Sequence, residues 1–211
     1  MKYAIRATCT VLALTAPAAA QDVFITQDMP FVEIDNGYEV HVIERDQNKD
    51  AVIDAEFAKT SRPCPPFCVQ PMQVAEGVET VGELELIRFL EDEVQAGTGA
   101  LIDARLESWF LRGTIPGSTN LNFQIFDNPD TNPFLGPVLQ LFGAAPTDEG
   151  WDFADAKRLA LFCNGPWCGQ SPRAIRNLLS VGYPPEKLLY YRGGMQSWRA
   201  LGLSTVVPAP S

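Results

Sequence analysis

Two cysteines in a short loop-like stretch are the residues of this sequence best suited to covalent chemistry. Cys163 and Cys168 lie in the sequence CNGPWCGQ (residues 163–170, the cysteine loop), between an apolar run and the pair Ser171 and Pro172. We predict that Cys163 stands at the end of a strand and that Ser171 caps a helix with Pro172 at its first position. Backbone N–H groups of such a loop, beside the positive end of a helix, can bind an anion. They would therefore stabilise a thiolate, a persulfide anion or a bound oxyanion.

Cys163 is the predicted nucleophile, and Cys168 is a second thiol that lies nearer the helix start and could itself be the better thiolate. Two alternatives stay open, an inert core cysteine and a Cys163–Cys168 disulfide. The other site candidates are loop residues around the thiolate and two arginines of the next helix, which could offset the negative charge of the protein near an anionic substrate. They are Asn164, Gly165, Trp167, Gly169 and Gln170 in the loop, and Arg173 and Arg176 in the helix.

Composition excludes several other classes of protein. The chain has 211 residues, of which 46% are hydrophobic, so it can bury a core. Its formal net charge of −10 argues against a nucleic-acid binder and against a polybasic membrane-surface protein. The sequence has a single histidine, His41. A Ser-His-Asp triad would have to use this residue, and a zinc site with several histidine ligands is excluded. We expect neither a metal nor an organic cofactor.

The first twenty residues have the pattern of an export signal. A short basic start precedes an apolar run and the small residues Ala18–Ala20, and the run is too short to span a bilayer. We therefore expect a periplasmic or secreted protein with no membrane span after signal removal. Four cysteines would remain, which permit three pairings, and a Cys64–Cys68 disulfide is favoured over a tetrathiolate zinc site because export favours oxidation.

Residues 21–75 form a predicted accessory segment that ends in the proline-rich sequence CPPFC (64–68). A β-hairpin with a three-residue loop would place Ile34 opposite Tyr38 and Val32 opposite Val40, giving one apolar face. The stiff CPPFC sequence leaves little flexible linker, so we expect the accessory segment to fold as one unit with the following domain.

Residues 76–207 read as an α/β domain. Short apolar runs at 100–102, 159–162 and 188–191 alternate with helical patterns, which predicts a mostly parallel sheet with helices on both faces. Thr80 and Glu83 are a predicted capping box for the first helix. Asp103 and Arg105, just after the first run, are expected to pair at the end of the sheet.

Three motifs in order resemble the rhodanese-like sulfurtransferase family. They are LIDAR (101–105) followed by GTIPGSTN (113–120), the cysteine loop, and RGGMQSW (192–198), and the resemblance covers residues 80–203. It implies a five-stranded parallel sheet and a cysteine that accepts sulfane sulfur from a donor such as thiosulfate. Cys163 matches that cysteine by its place, and the sulfur would pass to a thiol, including a protein thiol, or to cyanide. The leading hypothesis is therefore a periplasmic sulfurtransferase. Thiol–disulfide exchange by Cys163 and Cys168, and a non-catalytic binding module with the same fold, are the alternatives.

Overall fold

Alternating strands and helices make up most of the chain. The computed structural model describes residues 22–35 and 39–208. The strands are β1 (Phe31–Asp35), β2 (Val40–Glu44), β3 (Glu79–Val81), β4 (Gly99–Asp103), β5 (Ser118–Asn120), β6 (Ala145–Thr147), β7 (Gly150–Asp152), β8 (Arg158–Phe162) and β9 (Leu188–Tyr191). The helices are α1 (Ala55–Ala58), α2 (Glu83–Phe89), α3 (Glu107–Phe110), α4 (Leu135–Leu141), α5 (Gln170–Ser180) and α6 (Gly194–Ala200). A π-helical turn, Leu90–Val94, continues α2, and Phe123–Phe126 and Pro185–Lys187 are 3-10 turns.

A five-stranded parallel sheet with the order β3–β9–β8–β4–β5 forms the centre of the protein. The expected fold class is confirmed. Register places the last residues of neighbouring strands side by side, with Phe162 of β8 opposite both Asp103 and Tyr191. Because β8 is the middle strand, the residue that follows it leaves the sheet at the centre of its carboxyl edge, where ligands bind in open parallel sheets.

The central strands are continuous apolar runs because both of their faces are covered. In β8, Leu159 and Leu161 pack into the cluster that contains buried residues of α4 and α5. Ala160 and Phe162 pack into the opposite cluster with residues of α2 and α6, among them the fully buried Trp198. Each large side chain buried in this way contributes about 1.5–3 kcal/mol. The two layers of helices therefore hold β8, and the loop after it, in a fixed position.

The start of α2 differs from the prediction. Thr80 belongs to β3, where it pairs with Tyr190, and its hydroxyl donates to the Met72 carbonyl. The predicted Thr80–Glu83 capping box is therefore wrong, because Thr80 is a strand residue of the sheet and does not cap the helix. Gly82 precedes the helix instead, and its N–H donates to Glu85 Oε2 at 3.1 Å.

The N-terminal β1–β2 hairpin is present, but its predicted register is wrong. Ile34 lies opposite His41 and Val32 opposite Ile43, and Tyr38 lies outside the described residues. Val32, Ile34 and Ile43 are buried in the cluster formed with α2 and α6, whereas Val40 is 57% exposed. The predicted pairing would turn Val40 toward this core, and the burial of Ile43 favours the observed register.

The accessory segment packs directly on the α/β domain. Phe57 of α1 is buried in the same cluster as the hairpin and contacts Trp109, with ring centroids 6.2 Å apart. Cys64 and Cys68 form a disulfide, as expected. The predicted signal at residues 1–20 lies outside the described residues. Within residues 22–35 and 39–208, no helix has the length and apolarity needed to span a bilayer.

Candidate active site

Cys163 follows β8 at the centre of the carboxyl edge and is only 2% exposed. The structure corrects the predicted helix cap. Gly169 is the cap residue of α5, so that Ser171 is the second helical residue and Pro172 the third. From this position, the Ser171 hydroxyl donates to Cys163 Sγ at 3.1 Å. Backbone N–H groups of Ser171 and Gly165 donate to the same sulfur. Two of the backbone N–H groups that were expected to stabilise the thiolate therefore do so.

The surroundings of Cys163 favour its thiolate. Burial raises the pKa of this thiol, because the charged form loses its contact with water. Hydrogen bonds from Cys168, Ser171 and Gly165 favour the charged form and outweigh burial, so that the pKa of the thiol falls to about 7. In its neutral form, the same thiol donates to the Cys168 carbonyl oxygen at 3.2 Å. Cys163 is therefore about half ionised near neutral pH.

Cys168 has the opposite tendency. It is buried and free, as is Cys163, and burial raises its pKa well above the ordinary range. The hydrogen bond that its thiol donates to Cys163, and the negative charge on Cys163, raise its pKa further. Its Sγ also lies 3.5 Å from Gln170 Oε1. The geometry favours Cys163 as the thiolate and Cys168 as a protonated thiol beside it, against the expectation that Cys168 could be the better thiolate.

Arg105 joins the beginning of the cysteine loop to the end of β4 through hydrogen bonds. It is 1% exposed and binds Asp103 through two hydrogen bonds, from Nε to Oδ1 at 2.8 Å and from Nη2 to Oδ2 at 2.5 Å. The expected Asp103–Arg105 pair is confirmed. Arg105 Nη1 also donates to Asn164 Oδ1 at 3.4 Å, and its Nη2 donates to the Gly113 carbonyl. Asn164 thus anchors the loop to the sheet through its side chain.

The turn before α6 closes the loop from the other side. N–H groups of Met195 and Gln196 donate to the carbonyls of Cys163 and Asn164, both at 3.0 Å. Gly194 has a φ of +54°, and a Cβ there would lie 2.2 Å from the Cys163 carbonyl oxygen. Only glycine allows this approach. The third motif therefore acts on the cysteine loop through its backbone.

Trp167 lies under a part of the accessory segment that we call the covering segment (residues 62–70). The Arg62 guanidinium stacks on the Trp167 ring at 3.7 Å, and the Phe67 ring meets it edge-on at 5.6 Å. The indole N–H of Trp167 donates to Gln196 Oε1 at 2.8 Å. The backbone N–H of Gln70 donates to the Pro166 carbonyl. Trp167 therefore packs between the rest of the loop and the covering segment, and no sequence pattern indicated these contacts.

A cavity of about 410 Å³ opens beside the loop. Cys168 and Gly169 form one wall, while the accessory segment supplies another with Glu56, Arg62 and Phe67. Cys163 is buried and is not among the lining residues. Two further walls come from Trp109 and Phe123.

The two arginines expected near an anionic substrate differ in position. Arg173 lines this cavity, but its guanidinium is bound by both carboxylate oxygens of Asp127 at 2.7 and 2.8 Å. Arg176 is exposed on α5 and is not part of the lining. In the part of the chain that the structure describes, no group of three or more histidine, cysteine or acidic residues could hold a metal ion.

Comparison with known proteins gives the family of the chain. The family model of the rhodanese-like domain matches residues 85–201, more than half of the chain, whereas no curated protein matches. A Rhodopseudomonas palustris protein of unknown function, described as a possible tyrosine phosphatase, is 21% identical (TM-score 0.44; 60% of this chain, 83% of that chain). A human single-domain sulfurtransferase is 23% identical (TM-score 0.38; 58% and 96%). A thiosulfate sulfurtransferase from Pseudomonas aeruginosa is 18% identical (TM-score 0.41; 64% and 22%). On the family-model match, the chain belongs to the rhodanese-like domain family.

Proposed function

We propose that the protein is a sulfurtransferase that carries a sulfane sulfur as a persulfide on Cys163. The observation that supports this most directly is the set of donors around Cys163 Sγ, namely the hydroxyl and N–H of Ser171 and the N–H of Gly165. The two Ser171 groups lie in the first turn of an eleven-residue helix, whose dipole adds to their effect. These groups stabilise a thiolate before the reaction and a persulfide anion after it.

The proposed reaction has two steps. The Cys163 thiolate attacks the outer sulfur of a donor such as thiosulfate, a new S–S bond forms, and sulfite leaves with the electron pair of the old one. The persulfide anion on Cys163 then passes its outer sulfur to a thiol or to cyanide, which regenerates the thiolate. Its negative charge stays within reach of the same N–H and O–H donors throughout.

Substitution of each cysteine tests the assignment. Cys163→Ser keeps the shape of the residue but cannot hold a persulfide, so it should abolish sulfite release from thiosulfate and thiocyanate formation from cyanide. Cys168→Ser is the matched control, and it should still become loaded with sulfur. If Cys163→Ser transfers sulfur as well as the parent and Cys168→Ser does not, the nucleophile is assigned wrongly. If neither substitution affects sulfur or disulfide chemistry, a binding module without catalysis is the better description.

Thiol–disulfide exchange is a second candidate, and one observation favours it. Cys163 Sγ lies 3.2 Å from the Cys168 carbonyl oxygen, so the two cysteines are in direct contact within one loop. Both residues are free. With a dithiol as the source of electrons, an exchange enzyme would reduce a disulfide substrate in steady state without any sulfane donor. In Cys168→Ser, the reaction would stop at a mixed disulfide between Cys163 and the substrate.

We also propose that the protein is exported to the periplasm or secreted. The support is the signal-like pattern of residues 1–20 together with the Cys64–Cys68 disulfide, because such disulfides persist in oxidising compartments. N-terminal sequencing of the exported protein should begin after residue 20. Exported material that still begins at Met1 would contradict this.

A further inference from the structure

We propose that Cys168 discharges the Cys163 persulfide within the protein, releasing hydrosulfide and leaving a Cys163–Cys168 disulfide that a dithiol reduces. This inference rests on the proposed persulfide on Cys163. It adds a second reacting cysteine and a reductant class to the sulfur-transfer reaction.

The contact between the two cysteines is the first argument. Cys163 Sγ lies 3.2 Å from the Cys168 carbonyl oxygen, and both thiols are free. The loop brings the two residues together through a turn in which the Cys168 N–H donates to the Gly165 carbonyl at 2.9 Å. A thiol held in the same short loop has a large advantage over a thiol that must diffuse to the persulfide.

The position of the cavity is the second argument. Cys168 forms part of its wall, whereas Cys163 is 2% exposed and is not among the lining residues. A thiol acceptor that enters the cavity therefore meets Cys168 and not Cys163. The covering segment narrows the approach further, because Arg62 and Phe67 pack on Trp167 at the rim. The arrangement therefore favours an internal acceptor over a protein thiol from outside.

The step balances in atoms and electrons. The Cys168 sulfur bonds to Cys163 Sγ while the bond between Cys163 Sγ and the outer sulfur breaks. The electron pair of that bond goes to the outer sulfur, which takes the Cys168 proton and leaves as hydrosulfide. A dithiol then donates two electrons, becomes a disulfide itself, and restores both cysteines. The dithiol can attack Cys168, the cysteine that lines the cavity.

Protonation of the pair agrees with this order of events. Burial and the neighbouring negative charge raise the pKa of Cys168, so it remains a thiol while Cys163 is the thiolate that takes up sulfur. The proton that the departing sulfur needs is therefore already on Cys168. The two cysteines do not compete for the donor in the first step.

A single-turnover experiment tests the proposal on the full mature chain without reductant. The wild type, Cys168→Ser and Cys168→Ala are each treated with one equivalent of thiosulfate, and sulfite, hydrosulfide and intact mass are measured. The wild type should release one sulfite and one hydrosulfide and lose the mass of two hydrogen atoms, with a Cys163–Cys168 bond found by non-reducing peptide mapping. Both variants should release sulfite, retain the mass of one added sulfur and release no hydrosulfide. Added dithiol should then make hydrosulfide release catalytic in the wild type by reducing the Cys163–Cys168 disulfide.

The outcomes separate this inference from the proposed function. If the wild type and both variants release sulfite and all retain the added sulfur, the internal discharge is refuted and the sulfurtransferase remains. If none releases sulfite or gains sulfur while circular dichroism shows that all are folded, the proposed function fails, and this inference fails with it. Using both serine and alanine guards against loss of folding in one of the variants.

Discussion

Substitution of Ser171 by alanine isolates one of the groups that stabilise the Cys163 thiolate. Ser171 is fully buried and its hydroxyl lies 3.1 Å from Cys163 Sγ, so alanine removes the donor without adding volume. A hydrogen bond to a charged group is worth about 1.5–3 kcal/mol, which raises the pKa of Cys163 from about 7 to about 8–9. The thiolate fraction at pH 7 then falls about 5- to 50-fold.

Greater intrinsic reactivity offsets part of this loss. A thiolate becomes more nucleophilic as its pKa rises, so the rate of sulfur loading at pH 7 should fall only about two- to six-fold. Above pH 9 the same variant should react faster than the wild type. This crossing of the two pH profiles would not arise from a merely structural defect, which lowers the rate at every pH.

Alkylation by iodoacetamide across the pH range measures the profile, and peptide mapping separates Cys163 from Cys168. Ser180→Ala is the matched control, because Ser180 ends the same helix and its exposed hydroxyl donates to the Asn177 carbonyl. The control should follow the wild-type profile. A folded Ser171→Ala protein with an unchanged profile would refute the reasoning and leave the backbone N–H groups as the cause of the low pKa.

Three further predictions concern stability. The pKa of Cys163 is lower in the folded state than in the unfolded chain. The free energy of unfolding of the reduced wild type, measured in urea, should therefore rise by about 2 kcal/mol relative to Cys163→Ser as the pH increases from about 7 to about 8.5. This gain should be lost as the pH falls through 7. Arg105→Ala should cost about 3–5 kcal/mol in urea unfolding because Asp103 is left charged and buried; a loss below 1 kcal/mol would contradict this. Gly194→Ala should lower the thermal midpoint of unfolding more than Gly182→Ala. Both glycines have positive φ, but an added Cβ would lie 2.2 Å from its nearest atom at Gly194 and 3.6 Å from it at Gly182. Equal losses would argue against the close approach at Gly194.

The buried strands could be predicted from the sequence, whereas the edge strands could not. β9, and β8 after Arg158, are continuous runs of buried aliphatic and aromatic residues because helices cover both of their faces. β3 and β5 have three residues each and contain threonine, serine and asparagine, so they carry no hydrophobic period. These segments become strands because they pair with neighbouring strands of the sheet. No local pattern marks Thr80 as a strand residue, and it was therefore predicted to cap a helix.

The hairpin register shows a second limit. Alternation with a period of two identifies strands, but it fits more than one pairing of the same two strands. Burial of Ile43 against α2 and α6 selects the observed pairing with Val32, and this contact depends on residues far along the chain. The same limit applies to Ser171, whose hydroxyl turns to Cys163 because the helix begins two residues earlier than its sequence suggested.

The cysteine loop and the wall that faces it come from different parts of the chain, which affects how substrate choice should be studied. The family-model match at 85–201 includes the loop and Arg105, and glycine and proline made the loop recognisable from the sequence. Arg62 and Phe67, which pack on Trp167 and line the cavity beside Cys168, lie outside the match. The part matched by the family model therefore supplies the thiolate and its donors, whereas a segment outside the match supplies part of the wall of the cavity beside them. Substitutions that alter substrate preference without altering the pKa of the nucleophile should accordingly be sought in residues 62–70.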